Sequence, residues 1–134
     1  MTGVSISDGF RPQGCKFTID TPAVSLGSGT DMGELNLATS LQNLTVLGAG
    51  EASVVYSGYV TGGGHSGLSP SFGLAADLVI EMELVTPGGD ILTVNECQNR
   101  DLFWAMRGVS PFAVYARFCS QICREEGQPS GSSH

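Results

Sequence analysis

Lysine is nearly missing from this sequence. Lys16 is the one lysine in 134 residues, and six basic residues stand against thirteen acidic ones, a formal net charge of −7. That balance offers little to phosphate backbones or anionic lipid surfaces and argues against nucleic-acid or membrane partners. No run of about 18 apolar residues occurs, so nothing reads as a membrane-spanning helix. Met1 to Asp8 lack both a basic start and an apolar centre, so no signal peptide is visible. The four cysteines lack metal-site spacing: Cys15 and Cys97 stand alone, and Cys119 and Cys123 are four apart with no histidine nearby. They read as free buried thiols or one disulfide, and no metal is expected. Charged residues make up 14% of the chain and hydrophobic ones 41%, which describes a folded domain whose surface is poor in solubilising charge, as in a piece built to be buried against something larger.

Two catalytic signatures are also missing. No Gly-x-Ser-x-Gly elbow exists, and His65 and Ser66, adjacent on one turn, cannot easily face each other, so a hydrolytic triad with Asp77 is disfavoured. Gly27-Ser28-Gly29-Thr30-Asp31-Met32 puts Met32 where a dinucleotide fingerprint needs its third glycine. Asp31 at the start of the following helix would repel phosphate, so this reads as an ordinary strand-to-helix turn.

What is abundant is glycine, nineteen in all, with a triplet at Gly62-Gly63-Gly64. Three residues without Cβ let φ turn positive and let backbone or a flat ligand approach closely. Around the triplet, short strands are expected at Lys16–Ile19, Ala23–Leu26, Thr45–Leu47, Ser53–Tyr56 and Gly58–Thr61, after an irregular entry over Met1–Gly14. Asp31 and Glu34 form a capping pair for a helix to about Leu41, with Leu35, Ala38 and Leu41 on its buried face. Leu68–Leu74 has room for one helical turn. Leu78–Thr86 is the clearest strand, with Ile80, Met82 and Leu84 on one face, and Pro87-Gly88-Gly89-Asp90 turns it back into Ile91–Val94. Asn99 caps a final helix that buries Leu102, Phe103 and Met106 and stops at Gly108. Beyond it, Phe112, Tyr115, Phe118 and Ile122 suggest an amphipathic helix over 110–123, followed by a polar, disordered tail. Asn43-Leu44-Thr45 is an N-glycosylation sequon, which matters only in the secretory path; the compartment is otherwise unknown.

Several of these segments agree in order with one family. Gly58-Tyr59-Val60-Thr61-Gly62-Gly63-Gly64-His65-Ser66-Gly67-Leu68-Ser69-Pro70, then Phe72-Gly73-Leu74-Ala75-Ala76-Asp77, Val85-Thr86-Pro87-Gly88-Gly89, Asn95-Glu96-Cys97-Gln98-Asn99 and Asp101-Leu102-Phe103-Trp104-Ala105-Met106-Arg107-Gly108 resemble the FAD-linked oxidoreductases of the vanillyl-alcohol oxidase and p-cresol methylhydroxylase (PCMH) superfamily. The fungal berberine-bridge-enzyme-like branch fits best. The resemblance covers about Gly3 to Gly108 and implies an α+β fold, the second subdomain of a PCMH-type FAD-binding domain, with a mixed or antiparallel sheet and short flanking helices. It implies residues 1–108 as a partial flavin domain and 109–134 as a divergent tail, as a frame shift, a retained intron or a truncated gene product would leave.

By the same resemblance the cofactor is FAD, and Ser53, Val54, Gly58, Tyr59, Gly62, Gly63, Gly64, His65 and Asp77 lie beside it. Tyr59 falls where some members place a histidine supporting the flavin N1–C2 carbonyl region. The implied activity is oxidation of an alcohol, sugar, amine or alkaloid-type small molecule by hydride transfer to flavin, with molecular oxygen as the usual second partner. The departures matter equally. The family's phosphate-binding loop, flavin-linking histidine and substrate domain with its catalytic base have no counterpart here, so no catalytic residue is assigned. Glu51-Ala52-Ser53 stands where many members carry a second flavin-linking cysteine, and Val55-Tyr56-Ser57 replaces a glycine run. Two alternatives therefore accompany the enzyme reading: a truncated, non-catalytic product, or a flavin-binding half-module completed by a partner chain.

Overall fold

The structure is a computed structural model that describes residues 3–108, 114–121 and 123–124. Its framework is a five-stranded sheet in the order β1-β2-β6-β4-β5. The strands are β1 (Val4–Ser7), β2 (Ala23–Gly27), β4 (Val79–Val85), β5 (Ile91–Asn95) and β6 (Val114–Gln121), and every pairing between neighbours is antiparallel. A second, two-stranded ladder joins β3 (Leu44–Thr45) to β7 (Cys123–Arg124). The α+β expectation holds, with an antiparallel main sheet.

One face of the sheet carries the main core. Val24, Leu26, Met82, Leu84 and Val94 from the strands meet Leu35 of α1 (Met32–Ser40), Tyr56 and Val60 of α2 (Tyr56–Thr61), and Phe103 and Met106 of α4 (Arg100–Met106), with the half-buried Phe72 of α3 (Ser69–Phe72) packed against them. The opposite face holds a smaller cluster of Ala23, Ile80 and Cys119, covered by Phe10 and Ile19. Ile80 thus leaves the face expected for it. A register shift between Val79 and Glu81 opposite β6 is where the alternation breaks, and Val79 joins Met82 and Leu84 instead.

The loop that covers this second face is stapled by a disulfide between Cys15 and Cys97, whose Cα atoms lie 5.4 Å apart. Beside it the fully buried Asn95 donates from Nδ2 to the Gln13 carbonyl and to Glu81 Oε2, both at 2.9 Å, and accepts at Oδ1 from the Cys97 N–H at 2.8 Å. The Gln13 N–H completes the network on Glu81 Oε2 at 2.7 Å. Of the two readings open for the cysteines, one disulfide plus the buried free thiol of Cys119 is what forms among the described residues.

Several local expectations are corrected. Val4–Ser7 is a strand rather than irregular, because its partner β2 is distant in sequence. Residues 16–19 make no strand, only an isolated bridge from Ile19 to Phe10. Helix α1 is capped as expected, with Asp31 Oδ1 accepting from the Glu34 N–H at 2.9 Å. It buries Met32, Leu35 and Thr39, whereas Leu41 is 77% exposed. Asn99 starts α4 from a left-handed conformation (φ 53°) and gives its side chain to the Thr93 carbonyl at 2.9 Å instead of capping the helix.

The largest correction concerns the segment after Gly108. Residues 110–113 and 122 of the expected helix lie outside the described residues, but Val114–Gln121 form β6, between β2 and β4. A helical spacing of aromatic residues was outweighed by an open slot between two strands whose backbone groups need partners. Sequence in which the family resemblance fades therefore supplies the centre of the sheet.

Candidate functional site

The nine candidate residues occupy one continuous path, from the loop after β3 through α2 and the glycine triplet, with Asp77 on the turn that crosses it. The path begins against the start of α1. There the Met32 N–H donates to the Val54 carbonyl and the Gly33 N–H to the Ala52 carbonyl, each at 2.9 Å, while the Tyr56 N–H donates to the Thr30 carbonyl at 3.0 Å. With Asp31 on the Glu34 N–H, the first free amides of α1 are all taken by the protein's own oxygens. The helix start has no amide left for phosphate, as the Asp31 argument anticipates. Ser53 is exposed, and both its N–H and its hydroxyl donate to Glu51 Oε1. Val54 is half-buried against the core.

Residues 56–61 are helical, which corrects the two strands expected over Ser53–Tyr56 and Gly58–Thr61. The β-branched and aromatic composition favours strand. A helix instead places Tyr56 and Val60, four apart, on one face, and both are fully buried. The Tyr56 hydroxyl donates to Ser120 Oγ at 3.3 Å, tying α2 to β6. Gly58, on the outer side, is exposed, and a Cβ there would meet nothing within 4 Å. Tyr59 is half-buried, its hydroxyl donates to the His65 carbonyl, and desolvation raises its pKa above the ordinary tyrosine value.

The triplet ends α2 and crosses the single 3-10 turn Ala75–Leu78. Gly62 is the C-cap residue at φ −83°, and a Cβ there would make only ordinary contacts. Gly63 (φ 106°) and Gly64 (φ 75°) take conformations that favour glycine. Their carbonyls accept from Ala76 and Ala75 N–H groups at 3.2 and 2.9 Å, so the two segments run in contact. A Cβ on Gly64 would stand 2.5 Å from that of Ala75. The crossing brings His65 and Asp77 to the same part of the surface, both exposed. Asp77 Oδ2 accepts from the Leu74 N–H at 3.0 Å and so fixes its own turn. Ser66 is buried and spent on the turn: its N–H donates to Ser69 Oγ, and its Oγ accepts from the Leu68 N–H. Among the described residues no group of three or more histidine, cysteine or acidic side chains could hold a metal.

Next to Asp77 lies a pocket of about 360 Å³ that sequence reasoning missed, lined by Leu74, Ala76, Asp77, Trp104, Arg107 and Gly108. Trp104 is 74% exposed, while Phe103 beside it is buried. Arg107 stacks with its guanidinium carbon 4.1 Å from the Phe103 ring centre and reaches Glu96 Oε1 at 3.4 Å. The signal was present in the helix pattern. Trp104 falls off the stripe of Leu102, Phe103 and Met106, and a lone tryptophan on the outer side of a short helix is a surface waiting for cover.

Known proteins share this fold. No protein-family model matches the chain. An uncharacterised FAD-linked oxidoreductase of Arthroderma benhamiae is 40% identical over 110 residues, which is 81% of this chain and 19% of that protein. A VAO-type flavoprotein of Myceliophthora thermophila C1 superposes with a TM-score of 0.81 at 31% identity, covering 92% of this chain and 22% of its own. The matched share exceeds what the first 108 residues supply. A glucooligosaccharide oxidase of Acremonium strictum, described with a 6-S-cysteinyl, 8α-N1-histidyl FAD, superposes with a TM-score of 0.78 at 25% identity over 92% of this chain and 24% of its own. The chain thus spans about a fifth of the length of the relatives it matches. By sequence and by fold it belongs to the VAO-type FAD-linked oxidoreductases, of which it represents one portion.

Proposed function

We propose that this chain is the second subdomain of the FAD-binding domain of a flavin-dependent oxidoreductase, and that Ser53, Gly58, Tyr59, Gly62, Gly63, Gly64, His65 and Asp77 line one side of the cofactor, with Val54 supporting them from the core. The observation that carries this reading is the outer edge of α2. Gly63 and Gly64 are glycines for reasons of backbone, but Gly58 and Gly62 are exposed, lack positive φ, and would each accept a Cβ without a clash. Glycine in a helix interior costs about 0.5–1 kcal/mol relative to alanine. A flat ring lying on that bare backbone gives the cost a purpose, so the residues present fit the cofactor.

FAD, when bound, supplies a two-electron acceptor for a hydride from an alcohol, sugar, amine or alkaloid-type carbon, with molecular oxygen as the eventual oxidant. The chain's own contribution is placement. The Tyr59 hydroxyl holds the His65 carbonyl and thereby the path of the triplet, and Ala75 and Ala76 fix that path from the other side. Glu51-Ala52-Ser53 offers no thiol, so this stretch supplies no cysteinyl bond to flavin.

Exposed Trp104, Leu74 and Leu68 favour a second reading, in which the chain is a half-module whose apolar edge is completed by a separate chain. Titrating FAD against the purified chain, read by flavin fluorescence and by co-elution in gel filtration, tests both. Binding that Gly58→Leu and Gly62→Val weaken, but Gly67→Ala does not, supports the proposal. Binding indifferent to both substitutions in folded variants overturns the assignment of this edge. A folded wild-type chain that takes up no FAD supports the half-module.

A further inference from the structure

The sequon Asn43-Leu44-Thr45 plays no part in the flavin reading, and the structure puts it where modification can reach it. Asn43 is exposed and follows the end of α1, with its N–H donating to the Ser40 carbonyl at 3.1 Å. Its φ of 55° lies in the left-handed region, and no hydrogen bond from its side chain occurs among the described residues. Asparagine tolerates that conformation well, so the turn alone accounts for an asparagine or a glycine at position 43. It does not account for the hydroxyl residue two positions on. Thr45 is half-buried in β3, where valine would serve a strand equally well.

A second, independent observation bears on the compartment. Cys15 and Cys97 are bonded across 82 residues of sequence, and that bond locks down the loop covering one face of the sheet. Disulfides of this structural kind form and persist in oxidising compartments, the same ones in which sequons are read. Position is the third point. Asn43 lies past the C-terminal end of α1, while loop 52–54 docks at the N-terminal end. Nine helical residues at about 1.5 Å each separate the two by roughly 14 Å. A glycan on Asn43 therefore sits at the end of α1 opposite the one that docks Ala52 and Val54.

From these three observations we infer that Asn43 is an N-glycan acceptor. The sugar is added to the Asn43 side-chain nitrogen from a lipid-linked oligosaccharide donor, whose diphosphate-lipid leaves as the asparagine gives up a proton. The test is translation of the full chain behind a cleavable leader in the presence of rough microsomes. Leader cleavage reports entry, endoglycosidase-sensitive mobility reports the glycan, and alkylation mass reports the Cys15–Cys97 bond. The expected result is a cleaved, disulfide-bonded chain with one glycan that is lost in Asn43→Gly and in Thr45→Val. Glycine keeps the left-handed turn and valine keeps the strand, so both variants should still form the disulfide. Failure of the chain to enter, or entry with an unmodified Asn43, overturns the inference.

Discussion

Replacing Gly64 with alanine puts a methyl group 2.5 Å from the Ala75 Cβ and 3.3 Å from that residue's Cα and N. Ordinary carbon contacts begin near 3.5 Å, so the neighbour must move by about 1 Å. That neighbour is backbone held by the Ala75 N–H to Gly64 carbonyl bond, and it cannot swing aside as a long side chain would. Overpacking of this kind costs about 1–3 kcal/mol, and a non-glycine residue held at φ 75° adds about 1–2 kcal/mol. The sum, roughly 2–5 kcal/mol, is a large part of the stability a domain ordinarily has. Gly58→Ala is the matched control. It adds a methyl into open space within α2 and should stabilise by about 0.5–1 kcal/mol. Urea unfolding followed by circular dichroism would measure both, and FAD titration of the same samples would separate fold from cofactor. Gly64→Ala within 0.5 kcal/mol of wild type would refute the crossing of the triplet over the Ala75 turn. A destabilised Gly58→Ala would refute the helix.

Other outcomes follow from other parts of the fold. Cys97→Ser releases an 82-residue closure, for which loop entropy gives about 4.5 kcal/mol; reducing agent should lower the urea midpoint of wild type and leave the variant unmoved. Ending the chain at Gly108 removes β6 from between β2 and β4, so the shortened protein should lose near-ultraviolet circular dichroism and bind a hydrophobic dye. Burial pushes the Cys119 thiol up to about 11 from the usual 9.0, helped by the Glu81 charge and partly opposed by Ser25 and Arg117. The folded state therefore holds that proton more tightly than the unfolded one. The associated stability is intact below pH 9 and declines between pH 9 and about 11, and Cys119→Ala should flatten that decline in a pH series of unfolding midpoints.

The elements legible in sequence were those with a local cause. Asp31 caps α1 because its carboxylate reaches the Glu34 amide three residues on. Val79–Val85 and Ile91–Asn95 pair across a five-residue, glycine-containing turn, with the Thr86 N–H donating to the Asp90 carbonyl at 2.9 Å. The glycine triplet and the family motifs were visible for the same reason. Short stretches that must take special backbone conformations carry special residues.

What escaped sequence reasoning depended on distant partners. Residues 56–61 look like strand by composition and become helix because the core needs Tyr56 and Val60 on one side. Val114–Gln121 carry a helical spacing and become the inner strand because β2 and β4 leave a slot there. The pairing of Cys15 with Cys97 likewise needed the fold, since the loop and the turn that carry them are far apart in sequence and meet in the tertiary structure, where Asn95 also binds the Gln13 carbonyl. Composition and motif thus determined the family, the cofactor to test and the glycines to watch. Tertiary structure alone decided which of those glycines the backbone requires and which it leaves free, because a Cβ's room is set by what crosses over it.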